Sequence, residues 1–366
     1  MPKRILFFID CLRSGGKERR LVELLYFLKR STDFQMRLVL MDDKIHYGYV
    51  RELGIPIDVI ERGRLRKDPS VFFRFLRIAR EFRPDIIHSW GTMATFYAAP
   101  TKATLGCKLV ANLIADSSKD FAERSLNSFF FRIDCLAADL ILGNSEAGFK
   151  AYGVSGPKKR LIYNGVRLER FDGRREQEDM RRELGINTPY MIAMVASAIE
   201  SKRYDLFVDV AADLLDLRKD VTFVGVGDGP EMPRILERIR SREADNVKML
   251  GTRNDVEDIV AAADVGVLFT RAEGISNAIM EYMALGKPVV TTDRTGGSKE
   301  IVEDGASGFI LPAETGPIER ALSRLLDDEE LRSKMGARGR RTIEDRFTVQ
   351  KMGEEFLKVY ESFADK

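Results

Sequence analysis

Residues 271–290 read RAEGISNAIMEYMALGKPVV, with Glu273 and Glu281 eight positions apart around a glycine and an asparagine. Ser276 or Asn277 supplies an N-cap, Gly286 a C′ position, and Pro288 prevents continuation. The stretch therefore predicts a helix over about 277–285 that runs into an apolar strand. A helix N-terminus carries positive partial charge, so the backbone N–H groups of Gly274, Ile275, Ser276, Asn277 and Ala278 can donate to phosphate oxygens. Glu273 precedes the cap and Glu281 follows it closely, which lets both face one bound molecule. Carboxylates accept paired hydrogen bonds from vicinal hydroxyls such as those of a ribose or a hexose. The spacing alone fits equally well a Glu281 that complements the dipole and a Glu273 that stays solvated.

The passage from helix to buried strand repeats along the chain. RILFFI, RLVLM, PIDVI, DIIHSW, KLVANLI and LILGNS alternate with helical-period segments in the first half. After the polar stretch 174–182 come MIAMVASA, DVTFVGVG, NVKMLG, DVGVLFT, KPVVTT and SGFILP. Continuous apolar runs are the mark of strands buried on both faces, so each half is expected to be α/β, a Rossmann-like doubly wound parallel sheet. The boundary falls near 164–172, giving domains 1–168 and 169–346. Ligands of such sheets bind at the carboxyl ends of the strands, and two of them are expected to face each other across a deep cleft.

Composition sets limits on function. A chain of 366 residues exceeds one ordinary hydrophobic core. Its 44% hydrophobic and 32% charged residues fit a soluble globular protein. MPKRILFFID is too short an apolar run for a membrane span and unlike a secretory signal. The three cysteines, Cys11, Cys107 and Cys135, have no metal-ligand spacing and suit a reducing, cytoplasmic compartment. The net charge of +2 conceals an asymmetry: residues 1–170 hold 30 Lys and Arg against 19 Asp and Glu, and the remainder 29 against 38. A basic first half points to an anionic partner.

Two glycine-rich turns follow strands. Gly15 and Gly16 open a helix in DCLRSGGKERRLVELLYFL, where backbone N–H groups can approach an anion; a tight turn without a ligand uses the same residues. VGVGDGPEM, at 224–232, invites a dinucleotide reading. Pro230, however, stands where the third glycine of that fingerprint belongs, and no downstream acid completes it, so a plain turn is expected.

These residues together carry a resemblance. GGKER at 15–19, PDIIH at 84–88, NSE at 144–146, YNGV at 163–166, GDGPE at 227–231, EGISNAIMEYMALGKPVV at 273–290 and GGSKEIVEDGASGF at 296–309 occur in the order characteristic of one family. Over nearly its whole length the chain resembles the retaining GT-B-fold glycosyltransferases of group 1, or family four. The resemblance implies that Glu281 holds the ribose hydroxyls of a nucleotide and that Glu273 contacts the donor sugar. It implies that Lys202 grips the donor diphosphate and, with Glu273, serves catalysis, while Gly15, Gly16 and the helix end at 274–278 help bind the donor. Ser197 stands where the family usually has an arginine, leaving Arg203 or another basic residue to substitute. Trp90 replaces a usual histidine, and an indole can lie against a sugar face but cannot shuttle protons. His88, Trp90 and Asn164 are the expected sugar or acceptor contacts, although His88 equally suits a buried, hydrogen-bonded strand end.

The implied activity is transfer of a hexose-type sugar from a nucleotide-diphosphate donor to a glycan or lipid-linked acceptor, with retention and without metal or other cofactor. UDP is the commonest donor nucleotide in the family and the expectation here. The last helix, within 347–366, is expected to cross back onto the first domain. RGRLRKDPSVFFRFLRIAREFR, at 62–83, could dock on an anionic membrane surface, or its Phe72, Phe75 and Phe82 could pack on the sheet. Aromatic residues that face a core, and the lack of an RNA-binding motif, argue against nucleic acid. A catalytically impaired nucleotide-sugar-binding protein is the alternative, motivated by Ser197 and Trp90; a GT-B epimerase is disfavoured because the motifs are those of transferases.

Overall fold

Strands form where the apolar runs are buried on both faces. The structure, a computed structural model, describes residues 2–13, 15–61, 68–114, 126–271, 273–292 and 296–363. The chain divides into two compact units, Met1–Gly165 with Val349–Lys366, and Val166–Thr348. The divisions fall at 165/166 and 348/349, where the sequence reading put them at 168/169 and 346/347.

The first unit contains β1 (Arg4–Ile9), β2 (Gln35–Leu40), β3 (Ile57–Val59), β4 (Ile86–Trp90), β5 (Lys108–Ile114), β6 (Leu140–Gly143) and β7 (Lys159–Leu161). They form one parallel sheet in the order β3-β2-β1-β4-β5-β6-β7. The order reverses between β1 and β4, where Ile9 lies beside Trp90. β7 is an edge strand reading KRL, and with only one neighbour it shows no apolar run. The helix Ser70–Phe82 buries Val71, Phe75, Ile78 and Ala79, with Phe75 stacked on Phe8 at 4.2 Å between ring centroids. Phe72 and Phe82 pack partly against the same core, so these aromatics take the sheet-packing role, whereas Phe73 is 74% exposed. The basic residues at 62–67 lie outside the described residues.

The terminal helix Val349–Glu361 belongs to this unit and lies on the first helix, Gly16–Ser31. It buries Met352, Phe356, Val359 and Tyr360 into the core made by β1, β2 and that helix. Close approach requires Gly353, where a Cβ would fall 2.1 Å from the Phe27 ring.

The second unit contains β8 (Tyr190–Val195), β9 (Val221–Val226), β10 (Val247–Met249), β11 (Val265–Leu268), β12 (Val289–Thr292) and β13 (Gly308–Leu311). Its parallel order is β10-β9-β8-β11-β12-β13, reversing between β8 and β11. The residues at which the chain enters and leaves this unit pair with each other, Val166 N donating to Phe347 O at 2.8 Å.

Gly353→Val should overpack the contact with Phe27. The expected cost is about 1–3 kcal/mol, read as a lower denaturant midpoint for the first unit's unfolding transition. An unchanged midpoint would show that the terminal helix does not depend on that contact.

Candidate functional site

In an open parallel sheet the crevice for a ligand lies where the strand order reverses. In the second unit that place is built around Tyr282, fully buried on the helix Asn277–Ala284. Its hydroxyl donates to Val267 O of β11 at 3.2 Å and accepts from Val195 N of β8 at 2.6 Å. Burial raises its pKa well above the ordinary 10, so the hydroxyl stays neutral. Gly266 makes room for the ring, since a Cβ there would lie 2.3 Å from Tyr282 Cγ. Ser276 caps the helix by accepting from Ile279 N at 3.4 Å, and Gly286 takes the left-handed conformation, φ 67°, just past its end. The helix expected from its caps is therefore present, with Asn277 and Ala278 half-buried at its start. Gly274, Ile275 and Ser276 are buried beneath them.

The two acids sit as follows. Glu273 forms a bridge with Gly296, and the neighbouring Gly297 is obligatory because a Cβ would lie 2.0 Å from Gly274 O. Its carboxylate forms an ion pair with the Lys202 ammonium, both side chains being largely buried. Lys202 ends a short turn, Glu200–Lys202, that follows β8. The geometry thus brings Lys202, Glu273 and the capped helix into one place. Glu281, 6% exposed, lies one turn further along the helix.

Arg203, the expected substitute for the arginine missing at 197, is paired with Asp205. It has a left-handed backbone, φ 40°, and its Nε donates to both carboxylate oxygens of Asp205, at 2.9 and 3.0 Å. Ser197 itself is exposed. The loop carrying it rests on the glycine-rich turn: Ala198 N donates to Asp228 O and Glu231 N to Ala198 O, each at 3.0 Å. A Cβ at Gly227 would lie 1.9 Å from Ala196 O, so these glycines serve backbone approach, as a plain turn requires.

Sequence reasoning missed Arg170 and Glu257. Arg170, in the turn Leu168–Phe171, forms an ion pair with Glu257 and places the same guanidinium nitrogen 3.4 Å from Glu281 Oε1. The only available signal was position, just after YNGV.

In the first unit the expected contacts are distributed differently. Gly15 caps the first helix, but its N–H donates to the Tyr47 hydroxyl at 3.2 Å and its carbonyl accepts from that hydroxyl at 3.1 Å. Gly16 is the first helical residue. Asp10, Cys11 and Glu18 form the one group among the described residues with metal-ligand geometry. The Lys17 ammonium lies 2.6 Å from Asp10 and 3.4 Å from Glu18, supplying the positive charge a cation would bring.

Trp90 and His88 correct the sequence reading. Both are fully buried, and the Trp90 ring stacks with Phe356 of the terminal helix at 6.1 Å and lies under the Arg20 guanidinium at 5.7 Å. The indole offers no face to a sugar. His88 Nδ1 is hydrogen-bonded to the Tyr360 hydroxyl at 2.7 Å, the buried strand-end role. Asn164 is buried as well, at 4% exposed. Arg20 donates to Asn112 Oδ1 at 3.0 Å and to Ile162 O, and burial pushes its pKa down to about 9, still charged at neutral pH.

The architecture recurs in solved structures. The Anabaena protein HepE, crystallised with UDP and glucose, superposes with a TM-score of 0.86 at 22% identity, covering 98% of this chain and 99% of that one. A sucrose-phosphate synthase from Thermosynechococcus elongatus gives a TM-score of 0.84 at 16% identity, with full coverage of both chains. The fold is GT-B. The family model for glycosyl transferases group 1 matches residues 176–342, and that for glycosyltransferase family 4 matches residues 14–170. This chain belongs to the family-four, group 1 glycosyltransferases. A Campylobacter jejuni N-acetylgalactosaminyltransferase whose name specifies a diphospho-undecaprenol-linked acceptor is 26% identical over 90% of this chain and 92% of its own. N-acetyl-alpha-D-glucosaminyl L-malate synthase of Bacillus anthracis is 29% identical over 55% of this chain, a match that spans about half, 53%, of that relative.

The buried His88 has a measurable signature. Burial first, and the Arg20 charge second, hold its pKa well below 6.5, so it is neutral in the fold. Below about pH 6.5 the unfolded chain binds a proton that the folded chain does not. Stability should therefore fall with pH in that range, by up to about 1.4 kcal/mol per pH unit from this group, and be indifferent to it above. His88→Phe should remove that part of the slope in a series of denaturant titrations from pH 5 to 8.

Proposed function

We propose that this chain transfers a hexose-type sugar from a UDP-sugar to a glycan or lipid-linked acceptor in polysaccharide or glycolipid assembly, with retention and without a metal ion. The observation that carries this reading is the Lys202–Glu273 pair set beside the N-terminus of the helix that bears Glu281. The helix end and the Lys202 ammonium are placed to stabilise a diphosphate, Glu273 to orient the donor sugar, and Glu281 to accept from ribose hydroxyls. Names of relatives support the substrate classes: HepE was solved with UDP and glucose, and the Campylobacter relative is named for a lipid-linked acceptor.

The chemistry breaks the bond from the anomeric carbon to the diphosphate oxygen and forms one to an acceptor hydroxyl oxygen on the same face. The acceptor's proton passes to the departing phosphate oxygen, so no protein base is required. Rate then depends on charge stabilisation and positioning. The acceptor side is supported by the helix Ser70–Phe82, where Phe73, Arg77 and Arg80 are exposed and suit peripheral contact with an anionic lipid surface, at the inner face of a cytoplasmic membrane. Among the described residues no helix is long and apolar enough to cross a membrane.

A second reading, a nucleotide-sugar-binding protein with impaired catalysis, draws on one observation: neither Ser197 nor Arg203 offers a second cation to a diphosphate. Titration with UDP, GDP, ADP and dTDP, each with and without a hexose, separates donors, and turnover of the bound UDP-sugar separates the readings. UDP should bind in preference and Glu281→Ala should abolish it. Lys202→Ala should lower kcat/KM by about 100-fold, the typical loss for one charge-stabilising group. Binding without hydrolysis or transfer would favour the second reading, and binding of no nucleotide would overturn both.

A further inference from the structure

The ribose-binding acid assigned to Glu281 is not held by its own helix alone. Its carboxylate shares one guanidinium nitrogen of Arg170 with Glu257, and the side chains of Arg170, Glu257 and Glu281 are only 15%, 16% and 7% exposed. We propose that Arg170 is a positioning residue that fixes the orientation of the Glu281 carboxylate for the ribose hydroxyls of the donor nucleotide. The inference rests on the function proposed above.

Two carboxylates directed at one point repel, and without an intervening cation one of them turns away. Arg170 removes that conflict. The guanidinium is itself held: Arg170 lies over the Phe171 ring at 5.6 Å, and the turn carrying both follows directly on the Val166–Phe347 hydrogen bond. Arg170 reaches both carboxylates through one guanidinium nitrogen, and its planar group is pre-organised where a lysine is a point charge on a flexible stem.

The readout is discrimination between UDP and 2′-deoxy-UDP, a ratio of two affinities in one protein that a general loss of stability leaves unchanged. Calorimetric titration of the intact chain should show UDP preferred about tenfold or more, the worth of a hydrogen bond to a charged group. Glu281→Gln should bring the ratio close to one. Arg170→Gln should do the same with its far-ultraviolet circular dichroism intact, and Arg170→Lys should lower the ratio several-fold while preserving charge. If Glu281→Gln abolishes the preference and the Arg170 variants keep it, the positioning role is overturned and the ribose assignment stands. If Glu281→Gln keeps the wild-type ratio, or the wild type binds no UDP, the ribose assignment falls and this proposal with it. Should Arg170→Gln fail to fold, Arg170→Lys decides alone, an unchanged ratio overturning the proposal.

Discussion

The second unit depends on one hydroxyl. Tyr282 reaches from the capped helix into the point where the strand order reverses and bonds the backbone of β8 and β11 at once. A buried tyrosine whose O–H is satisfied twice contributes both apolar area and direction, so the helix can neither rotate nor slide without leaving polar groups unpaired. Gly266 is the complement, as no other residue leaves space for the ring. Once the helix is fixed, the Ser276 cap, the position of Glu281 and the turn from Glu273 to Ser276 follow.

Charge is arranged on that frame in pairs that exist before any ligand arrives. Lys202 meets Glu273, Arg170 meets Glu257 and Glu281, Arg203 meets Asp205, and Arg271 meets Glu200 at 2.5 Å. Pairing of this kind orients the largely buried side chains of Lys202, Glu273, Arg170, Glu257 and Glu281, at the cost of partial neutralisation, whereas Arg271 and Glu200 pair in solvent. An anionic donor would exchange one partner of Lys202 for another instead of meeting an uncompensated cation. The departure at Ser197 then has a local meaning: the loop after β8 leaves Lys202 as its cation facing Glu273, while Arg203 is taken up by its own helix.

In the first unit the residues expected to touch sugar instead hold the terminal helix. His88, Trp90 and Arg20 form a buried cluster with Phe356 and Tyr360, joined by one hydrogen bond and by stacked rings. A charged guanidinium inside such a cluster is tolerated because Asn112 and the Ile162 carbonyl accept from it and two aromatic faces cover it. Trp90 is therefore packed beneath the terminal helix.

The sequence by itself determined the features that are local. Runs buried on both faces announced β1 to β6 and β8 to β13, and Ser276, Gly286 and Pro288 marked a helix that the structure contains. Ordered motifs named Lys202, Glu273 and Glu281; the structure pairs Lys202 with Glu273 and sets Glu281 on the helix that follows. β7 escaped because two of its three residues, Lys159 and Arg160, are charged, so it leaves no apolar run. What only the tertiary structure decided is which distant side chains meet. Arg170 and Glu281 are 111 positions apart, and His88 and Tyr360 are 272 apart. Their pairing depends on how helices close over sheets, and neither periodicity nor capping carries that information. For the same reason the type and position of Trp90 suggested a sugar platform, while the helix that covers it lay at the far end of the chain.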